Sequence, residues 1–458
     1  MIGTPIVGVS LMNVNKREPL LLLLGDLIFF DIALWLTLTI RYMSVPTADT
    51  VFAHATPFSI LFLLWVVFFY IAGLYEKHTM FLRNKLPVTI LHTQVLNSLA
   101  AVLFFYLIPF FGITPKTILF IYLIISFGLI LTWRLVIFPR LFFQKKKYAA
   151  MLIGSGDELK SLKHEVNENN RYGFSFVRTI DVQDLSTIDF KAEVLDEVYE
   201  KGVSLIVVDM KDPAVTPIVP QLYNLIFCGV QFIDKHKVYE SIFDRIPLSI
   251  IGYSWFIENI SSKSHIVYDT FKRLMDVAVA LVLGVVSLVL VPFIMLAIWL
   301  DDRGVAFIVQ ERVGQGGRRF NLIKFRSMTR NEDRGGWVGE TDNKVTRVGA
   351  FLRKTRLDEL PQLYNVLRGD MSLIGPRPDI IGNFERLSKE VPYYTIRNVV
   401  KPGLSGWAQT HQDIVPQSTE ETKERLAYDL YYIKNRSFIL DIKIALQTIG
   451  TLLSRVGR

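Results

Sequence analysis

The sequence predicts a membrane protein with three parts: an amino-terminal four-helix transmembrane bundle, an α/β module and a mainly α carboxyl-terminal domain. Hydrophobic residues make up 51% of its 458 residues, which is more than a soluble chain of this length usually carries. They gather in four long runs before residue 145 and in a fifth near residues 274–300. Between the fourth and fifth runs, the sequence alternates short apolar strand-like segments with helical repeats. We therefore place the three parts at residues 1–145, 146–255 and 266–458.

The first four apolar runs each have about the 20 residues that a helix needs to cross a bilayer. They are Leu20–Ile40, Pro57–Tyr75, Val88–Ile113 and Ile118–Phe142. Basic residues cluster before the first run, between the second and third, and at the end of the fourth: Lys16, Arg17, Lys77, Arg83, Lys85, Arg134, Arg140 and Lys145–Lys147. Because positive residues stay on the cytoplasmic side, both ends of the bundle are predicted to be cytoplasmic.

Two carboxylates, Asp26 and Asp31, lie inside the first apolar run. Carboxylates within a membrane are costly to bury and often have a function. We expect both to face the interior of the bundle and to pair with His92 or with a nearby basic residue. The alternative, which we favour less, is a catalytic role.

Residues 146–255 carry the pattern of a Rossmann-like α/β module. A buried strand, a glycine turn, a helical repeat and a further strand follow in order: Ala149–Ile153, Gly154-Ser155-Gly156, then Leu159, Leu162 and Val166, then Val203–Asp209. A glycine turn before a helix can hold an anion, but only two of the three glycines of a dinucleotide fingerprint are present. A structural or regulatory module is favoured over a nucleotide-binding one. The chain's single cysteine, Cys228, is expected to be a small apolar core residue.

The fifth apolar run is predicted to enter and leave the membrane on the same side. Pro292 lies inside it and disfavours a straight helix. Basic residues flank both ends: Lys272 and Arg273 before it, and Arg303, Arg312, Arg318, Arg319, Lys324 and Arg326 after it. A simple span would place one of these flanks outside, whereas a re-entrant helix 274–300 that bends at Pro292 keeps both inside. An ordinary fifth span with a proline kink is the alternative.

The carboxyl-terminal domain is basic and rich in short motifs. Lys324 and Arg326 are two residues apart in a strand-like stretch and are expected to share a face, which suits a diphosphate. Arg377 stands between Pro376 and Pro378, so its guanidinium is presented stiffly, as phosphate recognition requires. The net charge of +8 favours phosphate-bearing substrates and anionic lipid. No nucleic-acid motif accompanies it, and we expect no nucleic-acid partner.

An acidic pair, Asp358-Glu359, precedes Pro361 at the predicted amino end of a helix that Gly369 terminates. The helix is predicted to have an apolar face, formed by Leu360, Leu363, Tyr364 and Leu367. Acidic residues at this position often serve as a helix cap, because they balance unpaired amides and the helix dipole. A chemical role is the alternative, and the residues around the pair alone do not decide between the two.

The stretch from about Tyr268 to Leu453 resembles the bacterial sugar transferase family, the polyprenyl-phosphate glycosylphosphotransferases. The matching segments are FKRLMDVAVAL, QERVG, KFRSM, RLDELPQLYNVLRGDMSLIGPRPD, KPGLSGWAQ and YDLYYIKNRSFILDIKI. Together with the four-span amino end and the α/β module, the chain resembles the long members of that family. One departure is Val291, because family members often have a serine before the proline of the re-entrant helix.

The resemblance implies an enzyme that moves a hexose 1-phosphate from a UDP-sugar to undecaprenyl phosphate and releases UMP. It implies that Asp358 and Glu359 are catalytic, that Asp358 forms a covalent phosphosugar intermediate, and that the pair holds Mg²⁺. The implied substrate-binding residues are Lys324, Arg326, Arg356 and Arg377. The setting would be the bacterial inner membrane, with the catalytic domain on the cytoplasmic face and a homodimer left open. The reaction would be the first membrane step of surface polysaccharide synthesis, for exopolysaccharide, capsule or O-antigen.

Two other functions remain in view. A membrane-anchored sensor or scaffold of polysaccharide assembly would not need Asp358 or Arg377, and both are present. A polytopic transferase of the all-spanning type would place its site at Asp26 and Asp31, and it would leave the basic carboxyl-terminal half without a role.

Overall fold

The structure, a computed structural model, divides into two compact units, Met1–Lys235 and His236–Arg458. It describes residues 8–75, 86–108, 116–142, 147–169, 172–186, 198, 200–210, 212–227, 229–261, 266–328, 345–412 and 416–456. The predictions for Cys228 and for the basic residues at 77, 83, 85, 145 and 146 fall outside the described residues.

The first unit begins with apolar helices, of which the first four are long and the fifth is short. They are α1 (Gly8–Tyr42), α2 (Ala48–Ile71), α3 (Leu86–Leu107), α4 (Lys116–Thr132) and α5 (Phe138–Phe142), and a π-helical turn, Trp133–Ile137, joins α4 to α5. Helix α4 packs on α1 and α3, and α2 also packs on both. Aromatic side chains fill the space between the helices, with Phe30, Trp65 and Tyr122 fully buried.

Asp26 and Arg134 form a buried ion pair inside this group of helices. The Tyr75 hydroxyl donates to Asp26 Oδ2 at 2.8 Å, and Arg134 Nη1 donates to the Leu74 carbonyl at 2.6 Å. The expected basic partner is therefore Arg134, since His92 is exposed. The expectation for Asp31 was wrong, because its side chain is also exposed. Five residues turn a helix by about 500°, so the two carboxylates point about 140° apart.

The α/β module is a four-stranded parallel sheet in the order β2-β1-β3-β4. Its elements are β1 (Tyr148–Gly154), α6 (Asp157–Glu168), β2 (Phe174–Asp181), β3 (Val203–Val208), α7 (Val219–Ile226), β4 (Gln231–Asp234) and α8 (Lys235–Phe243), which runs into the second unit. Leu159, Leu162 and Val166 of α6 are buried, as the helical repeat predicted. The parallel sheet with flanking helices is thus confirmed.

The second unit is mainly helical. Its helices are α9 (Tyr253–Phe256), α10 (Ile266–Asp302), α11 (Arg347–Thr355), α12 (Gln362–Arg368), α13 (Ile381–Glu390), α14 (Trp407–His411), α15 (Thr419–Asn435) and α16 (Phe438–Val456). Strands β5 (Phe307–Val313) and β6 (Arg319–Phe325) form an antiparallel hairpin. Strands β7 (Ser372–Ile374) and β8 (Gly403–Ser405) form a short parallel pair.

Helix α10 carries the fifth apolar run, so the described residues include five helices long and apolar enough to cross a membrane. Pro292 lies within this continuous helix of 37 residues. Both ends of α10 are bonded to the same domain. Near its start, Arg273 donates to the carbonyls of Val366 and Leu367 at 2.5 and 2.7 Å. Near its end, Asp301 accepts from the amide of Val348 at 3.0 Å.

A buried carboxylate, Asp441 of α16, fixes the first turns of α10. Its Oδ2 accepts from the Tyr268 hydroxyl at 2.7 Å and from Lys272 Nζ at 2.9 Å. Its Oδ1 accepts from the Tyr432 hydroxyl of α15 at 2.9 Å. Helix α10 is therefore joined at one carboxylate to α15 and α16, two consecutive helices much later in the sequence.

Candidate active site

The acidic pair lies in a tight 3₁₀ turn, Leu357–Glu359, between α11 and α12. The turn begins at Arg356, whose φ of 57° and ψ of 16° are left-handed, a conformation that is uncommon outside glycine and often found at functional sites. Asp358 and Glu359 are only 8% and 9% exposed. The pair therefore precedes α12, as predicted, and Gly369 ends that helix with a φ of 95°.

Two guanidinium groups converge on Glu359. Arg377 Nη2 donates to Glu359 Oε1 at 2.9 Å, and Arg356 Nη1 donates to the same oxygen at 3.1 Å. Burial by itself would raise the pKa of Glu359, but Arg377 and Arg356 outweigh it and hold this pKa below its ordinary value. Glu359 is therefore a buried carboxylate kept ionised by two fixed cations.

Asp358 has a different environment although it is the adjacent residue. Burial, together with the charge of Glu359, raises the pKa of Asp358 to about 6, against the opposing charges of Lys324, Arg377 and Arg356. Its buried Oδ1 has no hydrogen-bond partner among the described residues. A buried acceptor without a partner is costly, and it is a position where a substrate atom or a cation can be received.

The other predicted cations lie on or beside β6. Lys324 is buried, and its charge reaches Asp358. Strand β6 ends at Phe325, so Arg326 lies just beyond the strand, and its guanidinium covers Gly304 so closely that a Cβ there would lie 1.9 Å from Nη1. The structure thus gathers Lys324, Arg356 and Arg377 around the acidic pair, and it packs Arg326 on the loop that follows α10.

Two further arginines donate hydrogen bonds to the backbone of Arg377. Its carbonyl accepts from Arg397 Nη2 at 2.9 Å and from Arg425 Nη2 at 3.0 Å. Sequence reasoning did not identify either arginine. Their contacts explain why Arg377 can present its side chain to Glu359 in one orientation.

Arg397 is itself the centre of a buried ionic network, and its side chain is 1% exposed. It bonds Asp379 through Nη1 and Asp429 through Nε and Nη2, the latter two at 3.1 and 2.8 Å. The Tyr394 hydroxyl donates to Asp379 at 2.8 Å, and Arg425 Nη1 lies 3.4 Å from the same carboxylate. Burial alone would raise the pKa of Asp379, but these cations hold it below its usual range.

The glycines of the motifs around Arg377 allow two backbones to touch. A Cβ at Gly403 would lie 2.1 Å from the amide nitrogen of Gly375, so no larger residue fits there. The Gly375 amide donates to the Ser405 carbonyl at 2.8 Å, and the Gly403 amide donates to the Pro376 carbonyl at 2.9 Å. The segment KPGLSGWAQ therefore supports the segment that carries Arg377.

Asn365 connects the strand of Lys324 to the helix that follows the acidic pair. Its Oδ1 accepts from the Ile323 amide at 3.2 Å and its Nδ2 donates to the Asn321 carbonyl at 2.7 Å. Asn365 is fully buried, and sequence reasoning missed it. It fixes the register of β6 against α12 and thereby the position of Lys324 relative to Asp358.

An apolar groove of about 320 Å³ runs between α10 and α12 and reaches the residues just after the acidic pair. Its lining comes from Ala280, Leu281, Gly284, Val285, Ser287, Leu288 and Val291 of α10, from Phe307, and from Leu360, Pro361, Leu363, Tyr364 and Leu367. The predicted apolar face of α12 thus lies against α10.

Known proteins share the part of the chain that forms this site. The family profile described as Bacterial sugar transferase matches residues 267–455, which include every residue of the site described above. A UDP-glucose:undecaprenyl-phosphate glucose-1-phosphate transferase of Caulobacter vibrioides is 42% identical over 190 residues, 41% of this chain and 71% of the relative. The chain belongs to the bacterial sugar transferase family.

Two further members of the bacterial sugar transferase family extend the comparison. A UDP-glucose:undecaprenyl-phosphate glucose-1-phosphate transferase of Klebsiella pneumoniae is 30% identical over 380 residues, covering 79% of this chain and 80% of the relative. A UDP-N-acetylgalactosamine-undecaprenyl-phosphate N-acetylgalactosaminephosphotransferase of Aeromonas hydrophila is 42% identical over 197 residues, 42% of this chain. That match spans 45% of the Aeromonas protein's length. The family relationship is confirmed, and the sugar donors in the names of these relatives differ.

Proposed function

We propose that the chain transfers a sugar 1-phosphate from a UDP-sugar to undecaprenyl phosphate and releases UMP. The observation that carries the proposal is the buried, unbonded Oδ1 of Asp358, set among Lys324, Arg356 and Arg377. The names of the relatives support the reaction class, and they differ in the sugar. We leave the sugar unassigned for that reason.

The proposed reaction has two displacements at one phosphorus atom. Asp358 Oδ1 attacks the β-phosphorus of the UDP-sugar, the bond from that phosphorus to the bridging oxygen breaks, and UMP leaves with the bonding electrons. The sugar phosphate is then held on Asp358 as an acyl phosphate. A phosphate oxygen of undecaprenyl phosphate attacks the same phosphorus, the bond to Asp358 breaks, and the carboxylate returns to its starting state.

The cations address the central difficulty of this chemistry, which is that a carboxylate must approach a dianionic diphosphate. Lys324, Arg356 and Arg377 are proposed to bind the phosphates and offset the repulsion. Arg326, whose guanidinium lies against Gly304 in the loop after α10, is proposed to bind the substrate as well. Arg377 and Arg356 are already fixed by Glu359, so little reorganisation is needed when substrate binds.

Magnesium is proposed as the cofactor, held by Asp358 and Glu359. The residues fit such an ion, since Mg²⁺ is usually bound by one or two carboxylates together with substrate phosphates and water. Asp358 and Glu359 are adjacent and both buried, so the pair presents two carboxylates at one place. The described residues contain no group of three or more His, Cys, Asp or Glu that could hold a metal alone, so substrate oxygens would complete the shell. When bound, the ion neutralises charge on the diphosphate.

The groove between α10 and α12 is proposed to receive the first isoprene units of the acceptor. It is lined almost entirely by apolar side chains, and Leu360 and Pro361 bring it next to Glu359. An acceptor whose tail lies along α10 would place its phosphate at the acidic pair. The exposed side chains along the middle of α10, including Leu281, Leu288 and Leu296, are then covered by lipid.

The membrane arrangement that fits this chemistry keeps the site on the cytoplasmic face of the bacterial inner membrane. We propose that the four amino-terminal helices span as a bundle and that α10 is re-entrant, bending at Pro292. The bonds from Arg273 and Asp301 support this proposal, because residues near both ends of α10 contact one and the same domain. We further propose that the reaction initiates a surface polysaccharide such as exopolysaccharide, capsule or O-antigen. The comparisons do not support a homodimer.

A single substitution tests the reaction. Asp358→Asn keeps size and capping ability but removes the nucleophile, so UMP release should fall at least about a thousandfold. With β-³²P-labelled UDP-sugar and no acceptor, the native protein should retain hydroxylamine-sensitive label on a peptide that contains Asp358, and the variant should retain none.

The matched control is Asp370→Asn. Asp370 lies in the same motif, pairs with Arg368 at 3.4 Å and is not part of the acidic pair, so near-normal release is expected. If folded Asp358→Asn released UMP at more than half the native rate, Asp358 would be only a helix cap and the covalent mechanism would be excluded.

A further inference from the structure

The α/β module has a crevice at the carboxyl edge of its parallel sheet. The strand order β2-β1-β3-β4 means that the chain leaves β1 for a neighbour on one side and later returns to the other side. Such a change of direction opens a crevice outside the carboxyl end of the central strands, and ligands of open α/β sheets bind there. The turn Gly154-Ser155-Gly156 follows β1 at this point.

This turn leaves open space at the start of α6. Gly156 has a φ of 90° and a ψ of 175°, a conformation that essentially only glycine adopts. A Cβ at Gly156 would meet no atom within 4 Å, so the turn is not covered there. No side chain caps the start of this 12-residue helix. The amino end of this helix and its dipole favour an anion at the turn.

A buried lysine lies over the same turn. Lys235 follows β4 and is 8% exposed. Its Cδ and Nζ lie 3.1 and 3.5 Å from the position that a Cβ at Gly154 would occupy, so the side chain crosses the turn. Among the described residues no side-chain hydrogen bond or ion pair involves Lys235. The charge of this mostly buried side chain has no counter-ion there, and an anion bound at the turn would supply one.

Asp181 supplies a second polar group on the adjacent strand. It is the last residue of β2 and pairs in register with Gly154. Its Oδ1 accepts from the Gln183 amide at 3.0 Å. In nucleotide-binding α/β folds an acidic residue about 20 positions after the glycine turn, at the end of the next strand, binds ribose hydroxyls. Asp181 occupies this place.

Two features favour a mononucleotide over a dinucleotide as the ligand. Leu159 replaces the third fingerprint glycine and packs within 2.9 Å of the Gly154 Cβ position, so α6 does not approach a pyrophosphate as closely as in a dinucleotide site. The four strands also correspond to one mononucleotide-binding half of the larger fold. The acidic residue Asp157 in the first turn is exposed and lies 3.3 Å from Lys160, while Glu158 follows it.

We infer that the α/β module binds a nucleoside phosphate, with the phosphate at Gly154-Ser155-Gly156 and Lys235 and the ribose at Asp181. This site is separate from the transferase site, since all its residues lie in the first unit. The module thereby becomes a nucleotide-binding part of a membrane transferase.

Calorimetric titration of the full-length protein in detergent tests the inference. The probes are AMP, ADP, GDP, UDP and inorganic phosphate, and the UDP titration is repeated with Arg377→Ala to remove binding at the proposed active site. At least one nucleotide should bind with one site per chain. Lys235→Met should weaken that binding tenfold or more, because a charged hydrogen bond in a buried place is lost. Lys160→Met, which changes an exposed lysine of α6, should leave nucleotide binding unchanged.

Asp181→Asn serves as the second variant in case Lys235→Met does not fold. It should weaken the nucleotide severalfold and leave inorganic phosphate unaffected, because only the nucleotide has ribose hydroxyls. The inference is overturned if none of the nucleotides binds below about 1 mM. It is equally overturned if binding is insensitive to both Lys235 and Asp181, or if phosphate alone binds as tightly as every nucleotide.

Discussion

Replacing Arg397 with methionine should damage both the stability of the carboxyl-terminal domain and the reaction. The substitution keeps an apolar stem of similar length and removes the bonds to Asp379, Asp429, the Tyr394 hydroxyl and the Arg377 carbonyl. Two buried carboxylates then lose their main counter-ion. Breaking a buried ion pair from one side typically costs about 3–5 kcal/mol in the free energy of unfolding. We expect the lower part of that range, because Arg425 stays within 3.4 Å of Asp379.

The second effect concerns the position of Arg377. Its carbonyl loses one of two donors, so the loop that aims its side chain at Glu359 is less well held. A shift of about 1 Å in a substrate-positioning group can reduce a rate about a hundredfold. We expect UMP release to fall by at least tenfold, with a raised KM for the UDP-sugar. Hydrogen–deuterium exchange of the segment 372–380 should increase, which gives a local measure of the same loosening.

The control and the double variant separate the two effects. Arg368→Met removes an exposed pair with Asp370 and should cost less than about 1 kcal/mol. The double variant Arg397→Met, Asp429→Asn also removes the charge of Asp429, one of the two carboxylates that lose their counter-ion. Part of the free energy of unfolding should then return, while UMP release stays low. If Arg397→Met cost less than about 1 kcal/mol in urea unfolding, or kept native kinetic constants, the network would not hold Arg377 as described.

Two more predictions concern the acidic pair and the membrane helix. Because the pKa of Asp358 is raised to about 6, its protonated form persists to higher pH, and carbodiimide labelling of the metal-free protein should rise as the pH falls through 6; half-labelling near pH 4 would contradict the assigned environment. In a Cys228→Ser background, cysteines at Thr270 and Arg318 should resist an impermeant thiol reagent from outside, while a cysteine at Ser44 should react. Strong labelling at Thr270 or Arg318 would exclude a re-entrant α10.

The sequence predicted the elements whose signals are local. The glycine turn after β1, the buried repeat of α6 and the stop at Gly369 were all found, since each depends on residues within one or two turns of the chain. The acidic pair was correctly placed before α12 for the same reason. The apolar face of α12 was also predicted, although its partner, α10, is distant in sequence and needed the structure.

What the sequence did not provide are contacts between distant charges. Asp379 and Asp429 lie inside motifs that were recognised, but their shared partner Arg397 comes from a different segment, and only folding brings the three together. The prediction that Lys324 and Arg326 share a face assumed that both lie in one strand. Alternation holds only within a strand, and β6 ends at Phe325, one residue before Arg326. The position of Arg326 against Gly304 follows from the loop instead.

The two adjacent carboxylates divide the work of the proposed mechanism because their surroundings differ. Glu359 receives two guanidinium groups and is held ionised, so it can orient Arg356 and Arg377 toward the diphosphate. Asp358 receives no such bond at Oδ1, and burial beside Glu359 raises its pKa to about 6. A carboxylate with that pKa is more basic than an ordinary aspartate and is still mostly ionised at neutral pH, which is the compromise a nucleophile needs. In the proposed mechanism, burial and the charge of Glu359 together make Asp358 more basic, and Glu359 also fixes Arg356 and Arg377 through its hydrogen bonds.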